Sequence, residues 1–248
     1  MRAVVLAGGK GTRLRPYTAV LPKPLLPIGD GPVLEIVIQQ LQAAGFDHIT
    51  LATGYMAELI EAVLDQRRNG YPAGATIDYV RESEPLGTVG PLATIGDLDE
   101  SFLVMNGDVL TDLDYRKLLE DHVASDAAVT IATTTRHIQI TLGVIECRDA
   151  RDLDRLTGFV EKPQMTYEVS MGIYCFSPRA LGAIEPGVHL DLPELVLRLV
   201  EQGELVRAWR SDAYWVDLGR REDYERAISE FDTTRDRLLP HSLSGSPA

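Results

Sequence analysis

Cysteine is nearly missing from this sequence: Cys147 and Cys175 are the only two in 248 residues. They form no CxxC pair, and two thiols in a chain this long do not make a disulfide framework. Both read as reduced, semi-buried thiols. Long apolar runs are missing too. The run at residues 2–7 is six residues long, too short for a signal-peptide core. No later run approaches the ~18 apolar residues of a membrane-spanning helix. The chain therefore reads as cytoplasmic, with no membrane partner. Positive charge is in deficit: 24 Lys and Arg face 37 Asp and Glu, a net charge of −13. That balance excludes non-specific binding to nucleic acid or to an anionic membrane.

What is present is ordinary in bulk and unusual at one end. Hydrophobic residues at 45% and charged residues at 25% suit a soluble globular protein. The length suits one α/β domain with elaborations. Yet residues 1–30 carry Arg2, Lys10, Arg13, Arg15 and Lys23 against Asp30 alone. An acidic chain opens with a basic segment, and local charge governs a site.

Hydrophobic spacing gives the organisation. "RAVVLA" (2–7) is a continuous apolar run ending at a glycine pair, which predicts a buried parallel strand. "PVLEIVIQQLQAAG" (32–45) predicts a helix, punctuated by Pro32 and Gly45. A strand at 48–53, a helix at 56–70 ending in basic residues and Gly70, and strands at 76–80 and 101–108 follow. Asp114 is placed to cap a helix through about His122, before a strand at 127–135. Short β-like runs at 142–146, 156–161, 169–176 and 204–209 surround a helix at 192–203. The alternation implies an α/β fold, Rossmann-like, with a mostly parallel mixed sheet flanked by helices. Residues 1–231 are expected to form a single domain. Its N-terminal part runs to about 135 and a substrate-facing part covers 136–231. Residues 232–248, rich in Ser, Pro and Gly, are expected to be a flexible tail.

The stretch "LAGGKGTRLRPYT" (6–18) follows the first strand directly. A strand entering a glycine-rich turn aims backbone N–H groups at whatever sits above the sheet. Glycine permits close approach and positive φ, and Arg13 adds a planar fork that suits phosphate oxygens. A plain glycine turn with solvated charges is the alternative for the loop alone. The dinucleotide pattern GxGxxG fails because Leu14 stands at the third glycine, and GxxxxGK[ST] is absent. In "LPKPLLPIGDGP" (21–32) prolines on both sides fix the backbone and aim Lys23.

Together these two stretches resemble the signature of the sugar-phosphate nucleotidylyltransferases. The resemblance extends in order through "EPLGTVGPL" (84–92), "NGD" (106–108), "FVEKP" (159–163), "GIY" (172–174) and "WVDLG" (215–219). Members join a nucleoside triphosphate to a sugar 1-phosphate and release pyrophosphate. The resemblance implies that Leu6, Ala7, Gly8, Gly9, Gly11, Thr12 and Arg13 cradle the nucleotide, with Glu82, Gly87, Thr88 and Asp108. It implies that Arg13, Lys23 and Asp108 are catalytic, and that Asp108 and Asp217 hold Mg²⁺, a hard cation that takes oxygen ligands. It assigns the sugar phosphate to Lys23, Gly143, Glu161, Lys162, Ser170 and Gly172. A strand-end turn or cap for each aspartate, and a surface ion pair for Glu161–Lys162, are the structural alternatives.

Base and sugar are read from single positions. Relatives that take thymidine or uridine triphosphates usually have glutamine where Glu82 stands. An ionised carboxylate only accepts, and guanine offers two adjacent donors, so Glu82 favours GTP. Glu84 competes for the same role. "EPLGT" resembles the mannose-1-phosphate guanylyltransferases, which implies a mannose-like sugar 1-phosphate. Against mannose itself, Ser170-Met171 replaces the usual Asn-Ala before "GIY", and Leu142 stands where an aromatic often precedes the glycine. A heptose or a cyclitol phosphate is a competing acceptor. Uridylyl or thymidylyl transfer to glucose 1-phosphate and a catalytically silent sensor are the competing functions. The C-terminal β-helix of longer relatives is not in this sequence, so a homodimer is the default expectation.

Overall fold

The computed structural model describes residues 1–67, 75–149 and 152–239. Strand β1 (Arg2–Ala7) is an interior strand of the main sheet. It leads through a basic loop and a small hairpin, β2 (Pro27–Ile28) and β3 (Gly31–Pro32), into helix α1 (Val33–Ala43). Then come β4 (His48–Thr53), α2 (Ala57–Arg67) and β5 (Thr76–Arg81). The expected end of α2 at Gly70 lies outside the described residues. β6 (Phe102–Asn106) and β7 (Val109–Thr111) precede α3 (Tyr115–Ser125). Asp114 caps α3 as expected, accepting from the Lys117 N–H at 2.9 Å.

The second half holds β8 (Val129–Gln139), the ribbon β9 (Val144–Asp149) and β10 (Asp152–Val160), and β11 (Gln164–Phe176). It ends with α4 (Leu192–Glu201), β12 (Val206–Arg210), β13 (Trp215–Asp217) and α5 (Arg221–Leu238). Seven strands form the main sheet in the order β12-β8-β11-β6-β1-β4-β5. Every neighbouring pair is parallel except the two made by β11, which runs against both β6 and β8. The expected mostly parallel mixed sheet is therefore present.

Period-two side chains send β1 into two cores. Ala3, Val5 and Ala7 join the cluster built with α1, α3 and α5. Val4 joins the cluster that includes Leu195 and Leu199 of α4. Burial on both faces is what makes "RAVVLA" a run and not an alternation.

Three boundaries differ from the sequence reading. β11 is a thirteen-residue strand, because its first half projects beyond the sheet and carries polar residues that look like loop. The division at 135/136 falls inside β8, which spans both parts. The tail expected from residue 232 gives way to α5, which continues to Leu238 with Phe231, Thr234 and Leu238 buried. Its apolar residues recur at helical spacing, so packing on the core and not composition decides its extent. Residues 240–248 lie outside the described residues.

Candidate active site

The chain leaves β1 toward β4 on one side and later returns to β6 on the other. Between diverging neighbours the strand ends open a crevice, and there lies a cavity of about 440 Å³. Its wall holds Leu6, Ala7, Gly8, Gly9, Gly11, Thr12 and Arg13 from the first loop, with Lys23 and Pro24. Opposite stand Glu82, Pro85, Gly87, Thr88, Asn106, Asp108, His189 and Asp191. Every residue expected around the nucleotide is thus in one cavity. Glu82 is on its wall and Glu84, the competing position, is not.

Backbone bonding shapes the first loop. Gly11 sits at φ 58°, ψ 31°, a left-handed conformation that glycine adopts at no steric cost. Its carbonyl accepts from the Leu14 N–H at 2.9 Å and the Thr18 hydroxyl at 2.8 Å. The loop is tied off beneath itself, which leaves Gly8, Gly9 and Thr12 on the cavity side.

Lys23 opens a short helical turn with Pro24 and is 13% exposed at its side chain. Its ammonium contacts Asp108 Oδ2 and lies 3.9 Å from Asp217 Oδ1. Burial lowers its pKa to about 8, against the raising field of Asp217 and with a further lowering from Arg13. The two carboxylates come from residues distant in sequence. Antiparallel pairing of β7 with β13 sets Asp217 across from Val109, and the Leu218 N–H donates to the Asp108 carbonyl at 3.1 Å. Asp217 Oδ1 also accepts from the Gly219 N–H at 2.8 Å. Gly219 lies against the Arg13 guanidinium, so Arg13, Lys23, Asp108 and Asp217 form one charged cluster. Among the described residues no group of three or more His, Cys, Asp and Glu is placed to hold a metal ion; Asp108 and Asp217 come together as a pair around Lys23.

Glu82 follows β5 and turns its carboxylate into the cavity. Oε2 accepts from the Leu86 N–H at 2.9 Å. Oε1 packs so closely on Gly8 that a Cβ there would sit 2.5 Å from it. Burial raises the carboxyl above the usual glutamate range, with the Leu86 bond opposing it.

The residues expected around the sugar phosphate are only partly gathered. Gly172, at φ 74°, backs onto the Asn106 amide, and its N–H donates to Ser170 Oγ at 3.2 Å. This is a bulge in β11 between Ser170 and Tyr174, directly behind the cavity wall. Met171, set above with Ser170 against mannose, is fully buried in the core; its carbonyl accepts from Trp215 Nε1 at 2.8 Å. Of the two, Met171 is turned into the core and Ser170 stands at the bulge. Gly143 and Glu161 adjoin on the β9–β10 ribbon, off the cavity wall. Glu161 and Lys162 are well exposed and form an ion pair at 3.8 Å.

Asn106, His189 and Asp191 also line the cavity without having been singled out. Asn106 was legible inside "NGD". His189 and Asp191 lie in "VHLDLPE", where an aspartate before a helix reads as an ordinary cap.

Comparison with known proteins gives a consistent picture. The family model described as Nucleotidyl transferase matches residues 2–234. The mannose-1-phosphate guanylyltransferase catalytic subunit beta of Danio rerio is 33% identical over 253 residues, covering 100% of this chain and 69% of its own. A UTP–glucose-1-phosphate uridylyltransferase of Synechocystis sp. is 35% identical, covering 92% and 62%. The crystal structure of HddC from Yersinia pseudotuberculosis complexed with GMP-PN superimposes with a TM-score of 0.69 at 29% identity, covering 93% of this chain and 99% of that one. The chain spans between 62% and 69% of the length of these two curated relatives.

Proposed function

The chain belongs to the nucleotidyl transferase family, and from that premise we propose that it transfers a guanylyl group from GTP to a mannose-like sugar 1-phosphate. The observation that carries the reading is Glu82: a carboxylate at the cavity wall with one oxygen tied to Leu86 and the other bonded to no donor among the described residues. Guanine presents its N1–H and N2 amino group side by side, and a carboxylate accepts from both. Uracil and thymine present one donor between two acceptors, which a carboxylate matches poorly. The relatives named as mannose-1-phosphate guanylyltransferases support the same base and sugar.

In the reaction a phosphate oxygen of the sugar 1-phosphate attacks the α-phosphorus in line. A new P–O bond forms, the bond to the β-phosphate bridging oxygen breaks, and pyrophosphate leaves. The nucleophile is already an anion, so no general base is needed. The barrier lies in bringing anions together, which positioning and electrostatics lower. Backbone N–H groups from Gly8 to Thr12 hold the triphosphate, and Arg13 grips the departing β- and γ-phosphates. Lys23 bridges the α-phosphate and the attacking oxygen. Gly143, Glu161, Lys162, Ser170 and Gly172 receive the sugar phosphate.

Asp108 and Asp217 suit Mg²⁺. Both are hard oxygen donors converging on one point, and an ammonium already sits between them, as a cation site requires. Asp108 and Asp217 would hold the ion, which would supply positive charge against that developing on the phosphoryl oxygens.

The test is pyrophosphate release with Mg²⁺, crossing GTP, UTP, dTTP, CTP and ATP against mannose, glucose and heptose 1-phosphates. Release with GTP and one acceptor supports the proposal. Release with UTP or dTTP alone, as for the uridylyltransferase relative, keeps the reaction and overturns the base. Silence with every pair favours a sensor.

A further inference from the structure

The nucleotide loop between Leu86 and Gly90 does not hold itself. It is bound along its length to the segment just before α4. The Leu190 N–H donates to the Leu86 carbonyl at 2.9 Å, and the Leu190 carbonyl accepts from Val89 and Gly90 at 3.1 and 3.2 Å. Gly87, at φ 78°, lies so flat on Leu190 that a Cβ there would sit 2.6 Å from its carbonyl oxygen. Asp191 finishes the attachment. Its Oδ1 accepts from both the Thr88 N–H at 2.9 Å and the Thr88 hydroxyl at 2.7 Å.

Asp191 occupies the N-cap position of α4, yet makes no side-chain cap hydrogen bond to that helix. Aspartate at this position ordinarily accepts from the helix's own first-turn N–H groups. Here the carboxylate turns away to Thr88, and the two Thr88 bonds hold its carboxyl below the usual aspartate range. The helix forgoes its cap, and the gain falls to the loop. That loop also orients Glu82, because the Leu86 N–H donates to Glu82 Oε2 while the Leu86 carbonyl is held by Leu190.

We propose that Asp191 is a positioning residue for nucleotide selection, holding the 86–90 loop through Thr88 so that Glu82 meets the base in register. The inference rests on the guanylyl-transfer reading, since it concerns how that reading's base contact is kept in place. The effect belongs to nucleotide affinity and base choice, and not to the sugar phosphate.

The experiment compares Asp191→Ala, Asp191→Asn, Asp191→Ser and Thr88→Val with the unaltered chain. Steady-state kinetics are read with GTP and UTP, GTP binding by calorimetry, and melting temperature alongside. Asp191→Ala is expected to raise KM for GTP about tenfold or more, to narrow the preference for GTP over UTP, and to lower kcat by less. KM for the sugar 1-phosphate stays put. Asp191→Asn keeps an acceptor toward Thr88 and recovers most of the loss. Asp191→Ser can cap α4 but cannot reach Thr88, so it restores melting temperature and not KM. Thr88→Val shows the same KM change, and combining it with Asp191→Ala adds little. An unchanged KM for GTP in Asp191→Ala, or a loss that serine repairs along with melting temperature, overturns the inference and leaves the function standing. An unaltered chain that neither binds GTP nor releases pyrophosphate overturns both.

Discussion

Replacing Glu82 by glutamine isolates the base contact from the rest of the chemistry. The side chain keeps its shape. Its carbonyl oxygen can still accept from the Leu86 N–H, which lies 2.9 Å from Glu82 Oε2. The oxygen facing Gly8 becomes an NH₂ group. Against guanine, a donor then faces a donor in a half-buried site. A hydrogen bond to a charged group is lost and a buried donor is left unpaired, together about 2–3 kcal/mol. That corresponds to a fall of roughly 30- to 150-fold in kcat/KM for GTP. With UTP, the amide matches the imide and kcat/KM rises. The assay is pyrophosphate release at fixed sugar 1-phosphate, with KM for the sugar phosphate as the internal control. Because burial raises the Glu82 carboxyl above the usual range, the ionised form is disfavoured in the fold. Removing it leaves the melting temperature at neutral pH unchanged or higher. An active Glu82→Gln chain with undiminished GTP selectivity refutes the reasoning about Glu82.

The remaining expectations follow from the same charges. With Lys23 depressed to about 8 by burial, kcat/KM falls above pH 8 as the ammonium loses its proton; Lys23→Arg moves that limb beyond the accessible range while Lys23→Met lowers activity at every pH. Asp108→Asn and Asp217→Asn each lower kcat on the order of 10²–10³-fold and raise the Mg²⁺ concentration needed for half-maximal rate, while calorimetric binding of GTP without Mg²⁺ persists. His122 is fully buried, bonded to Thr130 at 2.8 Å and Ser177 at 3.1 Å, and burial lowers its pKa to about 4. The unfolded chain therefore binds more protons between about pH 4 and 6.5, so stability falls as pH drops through that window. Denaturant titrations of His122→Gln across it are expected to show a flatter acid limb than the unaltered chain.

What could be read from the sequence was what is local. The run "RAVVLA", the glycine loop and the Asp114 cap each declare themselves within a few residues, because burial, positive φ and capping act over a turn or less. Long-range arrangement was harder. Only the resemblance of "NGD" and "WVDLG" paired Asp217 with Asp108, and nothing near Asp191 points to Thr88; both contacts join segments far apart in the chain. Met171 looked like a sugar-wall residue because nothing in "VSMGIY" announces the bulge that turns it inward. The first half of β11 looked like loop because a strand projecting past its sheet has no buried face to impose alternation.

The pairing of β7 with β13 also has a consequence in time. Leu6 to Arg13, Glu82 and Asp108 are all present once residue 108 has been made, whereas Asp217 follows 109 residues later. At about 5–20 residues per second of synthesis, Asp108 waits roughly 5–20 s for its companion. In that interval a nascent chain can fold its first loop without the second carboxylate beside Lys23. On the function proposed above, chains arrested before residue 215, where β13 begins, are expected to show no more activity than Asp217→Asn however well their first half has folded.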